Sequence, residues 1–457
     1  MAREHAPIEI GVPPEAAWRT EQAEPIVLVA FVAGEQPPDP GEAFLSAARA
    51  FGVEPVDPRP VPSDDPALVW AFAFELPGRA APVVMWCDRV DPSQSPDGAA
   101  PDAVWTVAIE SVLERSHPSD RDQAVERGRA VWPASVADFV ALAAAVAGVV
   151  ERDRLRLVYD PALGQHLDAV ECGRHFLGDA GEPGALVDER FLYRVEVRLR
   201  SREDPAWVST VGLARLARPE LEILEVPPAL TDSAIELIDA LAARLVCEQP
   251  PLPRVPFEVG ERLEIALVQA HEVAETIAAD APGATADRAH LAPVARAAIC
   301  AAEPRGAFRR IWMSPLAELG QLSRHEAGVF LATRVVEVRE QLARVTWPDF
   351  VGALGRRSPV DGAVFLVKIA VQRGDASQTV ESAGAEQSVA PRAEQEQPLQ
   401  HVWIRVTEAS LEGGAGVTPS GPAKSYTFGA ADVGDWRVIG YASGGLNIGP
   451  DAAHQLL

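Results

Sequence analysis

The chain is short of the residues from which most reactive sites are built. Its 457 residues include four cysteines, Cys87, Cys172, Cys247 and Cys300, with no Cys-x-x-Cys pair among them. A disulfide framework or a cysteine-based zinc site needs closer or more numerous thiols, so both are excluded. The four read as small hydrophobes in a reducing compartment. No Gly-x-Ser-x-Gly elbow is present, which leaves an α/β-hydrolase nucleophile without support. Gly416-Val-Thr-Pro-Ser-Gly421 has the glycine spacing of a phosphate-binding loop, but Pro422 stands where the lysine is required. The longest apolar run, Val136 to Val150, contains Asp138. It also falls short of the ~20 residues of a membrane span. The opening Met1-Ala-Arg-Glu-His-Ala-Pro7 lacks the apolar centre of a secretory signal. A cytoplasmic protein is expected.

Basic residues are also in deficit, 41 against 66 acidic, giving a formal net charge of −25. Such a surface repels phosphate backbones and anionic lipid, so neither nucleic acid nor membrane is an expected partner. Solubility is the plain reason for the charge, and a basic protein partner is the sharper one. Apolar residues at 47% and charged residues at 23% are the balance of an ordinary globular chain. The length calls for two or three domains.

Residues 1–24 are polar and read as a loose leader. Ile26 to Phe31, Ala67 to Phe74 and Pro82 to Trp86 read as strands, and Glu42 to Phe51 as a helix, which together suggest α/β layering. Ser135 and Asp138 form a capping-box pattern ahead of a helix apolar nearly all round, which belongs in a domain centre. Phe191 to Arg200 alternates, with Arg194, Glu196, Arg198 and Arg200 on one face; Trp207 to Leu213 and Leu221 to Val226 continue it as an antiparallel meander. Ser233 and Glu236 then cap a helix with the stripe Leu237, Ile238, Leu241, Leu245.

The proline-rich stretch 249–257 reads as a linker closing an N-terminal region, 25–248. A mixed middle region, 258–354, follows, with a loop at 279–292 and one long amphipathic helix from Arg324 to Val345. The C-terminal module, 355–457, is interrupted by a polar insertion, 372–400, too poor in apolar residues to order itself. The fold class is α+β (mixed α/β), ending in a small antiparallel barrel-like unit.

Few groupings suggest chemistry. His271-Glu-Val-Ala-Glu275 starts like a metalloprotease helix and ends in Glu, so a solvated helix start is the plainer reading. His166, Asp168, Glu171, Cys172 and His175 are ligand types at spacings that match no zinc template. Met85-Trp-Cys87-Asp88 has no basic neighbour to activate a thiol. Arg324-His325-Glu326 serves a helix start. No metal and no cofactor are assigned.

Trp207-Val-Ser-Thr-Val-Gly-Leu213, with Arg218-Pro-Glu-Leu-Glu-Ile223 beyond it, resembles bacterial proteins of the domain of unknown function 4026 type. There the run is Trp-x-His-Thr-His-Gly-Leu, followed by a Glu-Leu-Glu stretch. The C-terminal motifs resemble domain of unknown function 2314: Phe365, Val367 and Lys368 on one strand, His401 and Trp403 on the next, then Asp435-Trp436 and Gly444-Gly445. The likeness spans about 155–228 and 355–457. Where the first pattern has two histidines, this chain has Ser209 and Val211. Two imidazoles on one strand face can hold a metal or move protons, and serine and valine cannot. Trp207, Ser209 and Val211 therefore mark a degenerate face. Lys368, His401, Trp403, Asp435 and Trp436 form a candidate pocket, against the plainer reading that the tryptophans build a small core. The expectation is a non-catalytic interaction or regulatory protein; the alternative is a hydrolase-like or metal-dependent enzyme.

Overall fold

The computed structural model describes residues 18, 24–77, 81–90, 96–98, 100–113, 134–179, 181–288, 291, 294–305, 311–324, 326–331, 333–356, 363–372, 399–418, 424–441, 446–448 and 450. Most of the leader, His325, Pro422, Gly444, Gly445 and residues 373–398 of the polar insertion lie outside them. The chain divides into two compact units, Met1–Val335 and Val336–Leu457. Among the described residues no helix is long and apolar enough to cross a membrane.

The first unit holds two sheets. One contains β1 (Ile26–Ala33), β2 (Val56–Pro60), β3 (Leu68–Glu75), β4 (Val83–Arg89), β5 (Ala103–Ser111), β6 (Leu155–Asp160) and β7 (Gln165–Asp168), in the order β2-β3-β4-β5-β1-β6-β7. Its pairings are antiparallel throughout. The helix Pro40–Phe51 starts at Asp39, whose carboxylate accepts from the Gly41 and Glu42 N–H groups, and stops at Gly52 in the left-handed region. The helix Ala134–Ala147 buries Val136, Leu142, Ala145 and Val146, the central position its apolar character demands. Ser135 lies inside this helix rather than capping it, with its Oγ buried and without a hydrogen bond. In the stretch read as a loose leader, Trp18 is buried and donates to Pro251 O at 2.8 Å.

The second sheet contains β8 (Arg194–Arg198), β9 (Ala206–Val211), β10 (Glu220–Val226), β11 (Phe257–Glu261), β12 (Leu263–Gln269), β13 (Arg296–Ala301) and β14 (Gly328–Val329), ordered β14-β11-β12-β13-β10-β9-β8. The β8–β9–β10 meander is antiparallel, and β10 runs parallel to β13. A parallel neighbour needs a crossover. Here the crossover is the helix Thr231–Cys247, the proline-rich stretch and the β11–β12 hairpin. The proline-rich segment thus connects strands of one sheet, and the division between compact units falls instead at Val335/Val336. Leu237, Ile238, Leu241 and Leu245 of the helix share a core with Val208, Leu221 and Ile223. Ser233 sits in the helix's first turn, not at its cap.

Of the helix expected over 324–345, only Thr333–Val345 forms. Leu316–Ser323 is one helix, β14 pairs with β11 at Gly260↔Val329, and a second helix runs Thr333–Val345. Pairing at the sheet edge requires an extended chain, and that requirement overrides the amphipathic pattern.

The second unit carries the helix Trp347–Gly355 and a sheet of β15 (Val364–Gln372), β16 (Leu399–Ser410), β17 (Gly413–Val417), β18 (Ser425–Gly429), β19 (Val433–Tyr441) and β20 (Leu446–Ile448), ordered β18-β17-β16-β15-β19-β20. Its pairings are antiparallel. Among the described residues β18 and β20 are its two edges, so the sheet is a half-barrel rather than a closed barrel. Phe365, Val367, Ile369, Ile404, Trp436 and Val438 pack against Trp347 and Phe350. Pairing of β15 with β16 continues to Gln372↔Leu399, the two ends that the polar insertion joins. The chain as a whole is α+β.

Candidate functional site

One face of the second sheet gathers charge by strand register. Arg194, Glu196 and Arg198 on β8 lie opposite Val211, Ser209 and Trp207 on β9. Ser209 lies opposite Glu222 on β10, and Glu220 and Glu222 pair with Arg296 and Ala298 on β13. Alternate residues of a strand share a face, so these side chains form a grid. Its apolar end is Trp207, Leu224, Val268, Ala298 and Cys300.

Glu222 is fully buried and forms an ion pair with Arg288. Arg288 also donates from Nε to Gly283 O at 2.8 Å, and its guanidinium lies 5.5 Å from the Trp207 ring centre. Arg198 lies over the same ring at 4.7 Å. Both distances are those of cation–π contacts. Gly283 has φ +84°, and a Cβ there would meet Leu224 Cδ2 at 2.5 Å and the Trp207 ring at 3.0 Å. The glycine therefore lets this turn close onto the tryptophan.

Glu220 is used differently. It accepts from Thr210 Oγ1 at 2.7 Å, Gly212 N at 2.8 Å and Ala214 N at 3.1 Å. This ties β10 to the turn Leu213–Leu216 and explains the Gly-Leu that ends the β9 motif. Gly212 has φ +116°, and a Cβ there would meet Leu192 O at 2.5 Å. Nearby, Arg215 pairs with Asp160 at 2.6 Å, both buried. Burial holds the Arg296 guanidinium below its usual range, an effect that Glu222 and Glu220 partly offset.

The face can recognise and orient charged groups. Its thiol, Cys300, is pushed up to about 12 by burial, reinforced by Glu222 and Glu272, so it is no nucleophile at neutral pH. Among the described residues, no grouping of three or more His, Cys, Asp or Glu side chains could hold a metal ion.

In the half-barrel, Lys368 stands between Trp403 on β16 and Asp435 on β19, in one cross-strand row. Leu366 in the next row of that face is flanked by Arg405 and Arg437. Trp436 pairs with Val367 and faces the opposite way, into the core, where its Nε1 donates to Thr346 Oγ1 at 3.2 Å. The five residues of the candidate pocket are therefore split between two faces. His401 occupies the strand position opposite Ala370. Asp435 is buried and accepts from the Trp436 N–H at 2.8 Å. Burial raises its carboxyl, opposed by Arg437, Arg339 and Lys368.

The other groupings are structural. Asp168 and Glu171 form the capping box of the helix Ala169–His175. His175 is buried against Leu186 O at 3.1 Å, and burial lowers it to about 4. Glu272 of the His271–Glu275 stretch pairs with Arg254 at 2.6 Å. Arg324 ends the helix Leu316–Ser323 rather than starting one, and pairs with Glu326 at 2.9 Å. Cys87 and Cys172 are buried, with thiols raised to about 12 by desolvation. Glu222 and Arg288, central to the grid, were not singled out in the sequence. The Glu-Leu-Glu run was visible, but its partner comes from a stretch read as a loop.

Residues 195–298 match the family described as protein of unknown function (DUF4026) C-terminal. The match begins in β8 and ends in β13, so it contains β9, β10, Gly283 and Arg288. It begins later and ends further along than the resemblance over 155–228, and it covers none of residues 355–457. Searches of curated proteins and of solved structures gave no match.

Proposed function

We propose that the chain is a non-catalytic interaction or regulatory protein, with the Trp207 face of the second sheet as its working surface. The observation that supports this is Glu222. Opposite Ser209, it is held by Arg288. General acid–base catalysis needs a proton-moving group within reach of substrate. On this face the carboxylates are engaged by guanidinium groups or backbone N–H groups. The alternative is a hydrolase-like or metal-dependent enzyme, for which Ser209 and Val211 supply no imidazole pair.

The net charge of −25 favours a basic protein as the partner. The Lys368–Trp403–Asp435 row of the half-barrel is proposed as a second contact surface, and a kinship of this module with domain of unknown function 2314 is part of the same proposal. A bacterial, cytoplasmic setting belongs to the same proposal. A tagged pull-down at moderate salt, followed by a salt series, tests the partner. Stoichiometric recovery of a basic protein, released as salt rises, is expected. A partner-free preparation from cells expressing the chain at its native level would overturn it.

A further inference from the structure

The half-barrel sheet has a core side and an outer side. On β15, Phe365, Val367 and Ile369 belong to the core, so Val364, Leu366 and Lys368 lie on the outer side. Register extends each of these into a cross-strand row. Lys368 lies between Trp403 and Asp435, Leu366 between Arg405 and Arg437, and Val364 beside Ile439.

Charge on this side is inverted relative to the chain as a whole, where 66 acidic side chains outnumber 41 basic ones. The three rows carry Lys368, Arg405 and Arg437 against a single carboxylate, Asp435, which is 2% exposed. Arg437 lies 3.8 Å from that carboxylate, and Arg339 of the helix Thr333–Val345 adds its charge to the same surroundings. Among the described residues Lys368 and Arg405 form no ion pair. Arg405 is exposed, and Val364 and Ile439 are 36% and 42% exposed. An apolar strip therefore adjoins the doubly cationic row.

The cations are spread over three strands, about 4.8 Å from one strand to the next. They suit a segment laid across the sheet better than a single ion. Side chains on one side of an extended peptide recur about every 7 Å, so its carboxylates can meet successive cations while an apolar neighbour covers the strip. Arginine forks match carboxylates. A phosphate backbone is the rival polyanion. It carries no apolar side chain for Val364 and Ile439, and the net charge of −25 repels it.

We propose that the outer side of the half-barrel docks an acidic segment of a protein partner, with carboxylates on Lys368, Arg405 and Arg437 and an apolar side chain against Val364 and Ile439. The proposal rests on reading this side as a second contact surface. It gives that surface a partner separate from the basic one proposed for the Trp207 face.

Fluorescence polarisation with the full chain tests it. The probes are a labelled peptide of alternating Glu and Phe, about ten residues long, its Lys and Phe counterpart, and a single-stranded oligonucleotide of equal length. Saturable binding of the Glu/Phe peptide is expected, weakening as salt rises. Arg405→Glu should weaken it by about tenfold or more, because a charge-assisted hydrogen bond is lost. Lys368→Gln, one row away, should act in the same direction and covers the case of an Arg405→Glu variant that fails to fold. Ile439→Ser should weaken it by about fivefold through lost apolar burial. A Glu/Phe peptide that does not saturate, or that binds Arg405→Glu and Lys368→Gln as it binds wild type, would overturn the proposal, as would tighter binding of the oligonucleotide. Binding of the Lys/Phe peptide instead, weakened in Ile439→Ser, would remove the acidic partner and leave the contact surface standing. Binding of no probe would remove both.

Discussion

Arg288 reaches across 66 residues of sequence to pair with Glu222, and in doing so covers the ring of Trp207. The pair closes the polar end of the second sheet and joins the turn after Gly283 to β10. A buried carboxylate stripped of its partner keeps its desolvation cost and loses its compensation. Arg288→Ala should therefore destabilise the chain by roughly 3–5 kcal/mol. Replacing both residues, Glu222→Leu with Arg288→Met, should recover most of that loss. A double-mutant cycle in urea measures both effects.

Gly283→Ala should cost about 1–3 kcal/mol, from a left-handed backbone and from overpacking against Leu224 and Trp207. Tryptophan fluorescence should shift with it. A variant of wild-type stability and spectrum would mean that the turn does not rest on Trp207.

Two buried groups should give opposite pH slopes. Burial raises Glu189 to about 7 from the usual 4.5, so its contribution to stability is present at low pH and lost as pH rises from about 4.5 to 7. Burial lowers His175 to about 4 from 6.5, so its contribution is full above pH 6.5 and lost as pH falls towards 4. Each shift corresponds to roughly 3 kcal/mol. Between pH 5 and 6.5 the two nearly cancel. Urea midpoints across this window should rise with pH in Glu189→Gln and fall with pH in His175→Gln, relative to wild type. Parallel profiles in all three proteins would contradict the assignment.

Introducing the histidine pair tests what the β9 face has become. Ser209 is 1% exposed, so an imidazole there overpacks a closed site. Ser209→His with Val211→His should lose about 1–3 kcal/mol, and elemental analysis of the dialysed variant should find no transition metal. One tightly held metal ion per chain would show that the face retains site geometry.

Strand periodicity made much of the fold legible. β1 and the β8–β10 meander follow from apolar runs and from the alternation of Arg194 to Arg198. The parallel β10–β13 contact was hidden, because register between strands 70 residues apart in sequence leaves no local trace. Prolines at 249–257 mark irregular chain, and irregular chain can cross a sheet as well as separate domains. The two serines read as caps, Ser135 and Ser233, lie inside their helices, whereas Asp168 and Glu171, read as ligand types, form a cap. In the half-barrel one clue was present: Phe365, Val367 and Ile369 are apolar on alternate positions, which puts Lys368 off the core face. That Trp403 lies with Lys368 and Trp436 opposite required the register.

The most direct test of the non-catalytic reading is turnover itself. The purified full chain would be incubated with a broad metabolite extract, and consumption followed by mass spectrometry beside Glu222→Gln. No compound should be consumed or formed by the wild-type chain. Reproducible turnover, lost in Glu222→Gln while the variant remains folded, would contradict the reading and make the Trp207 face an active site.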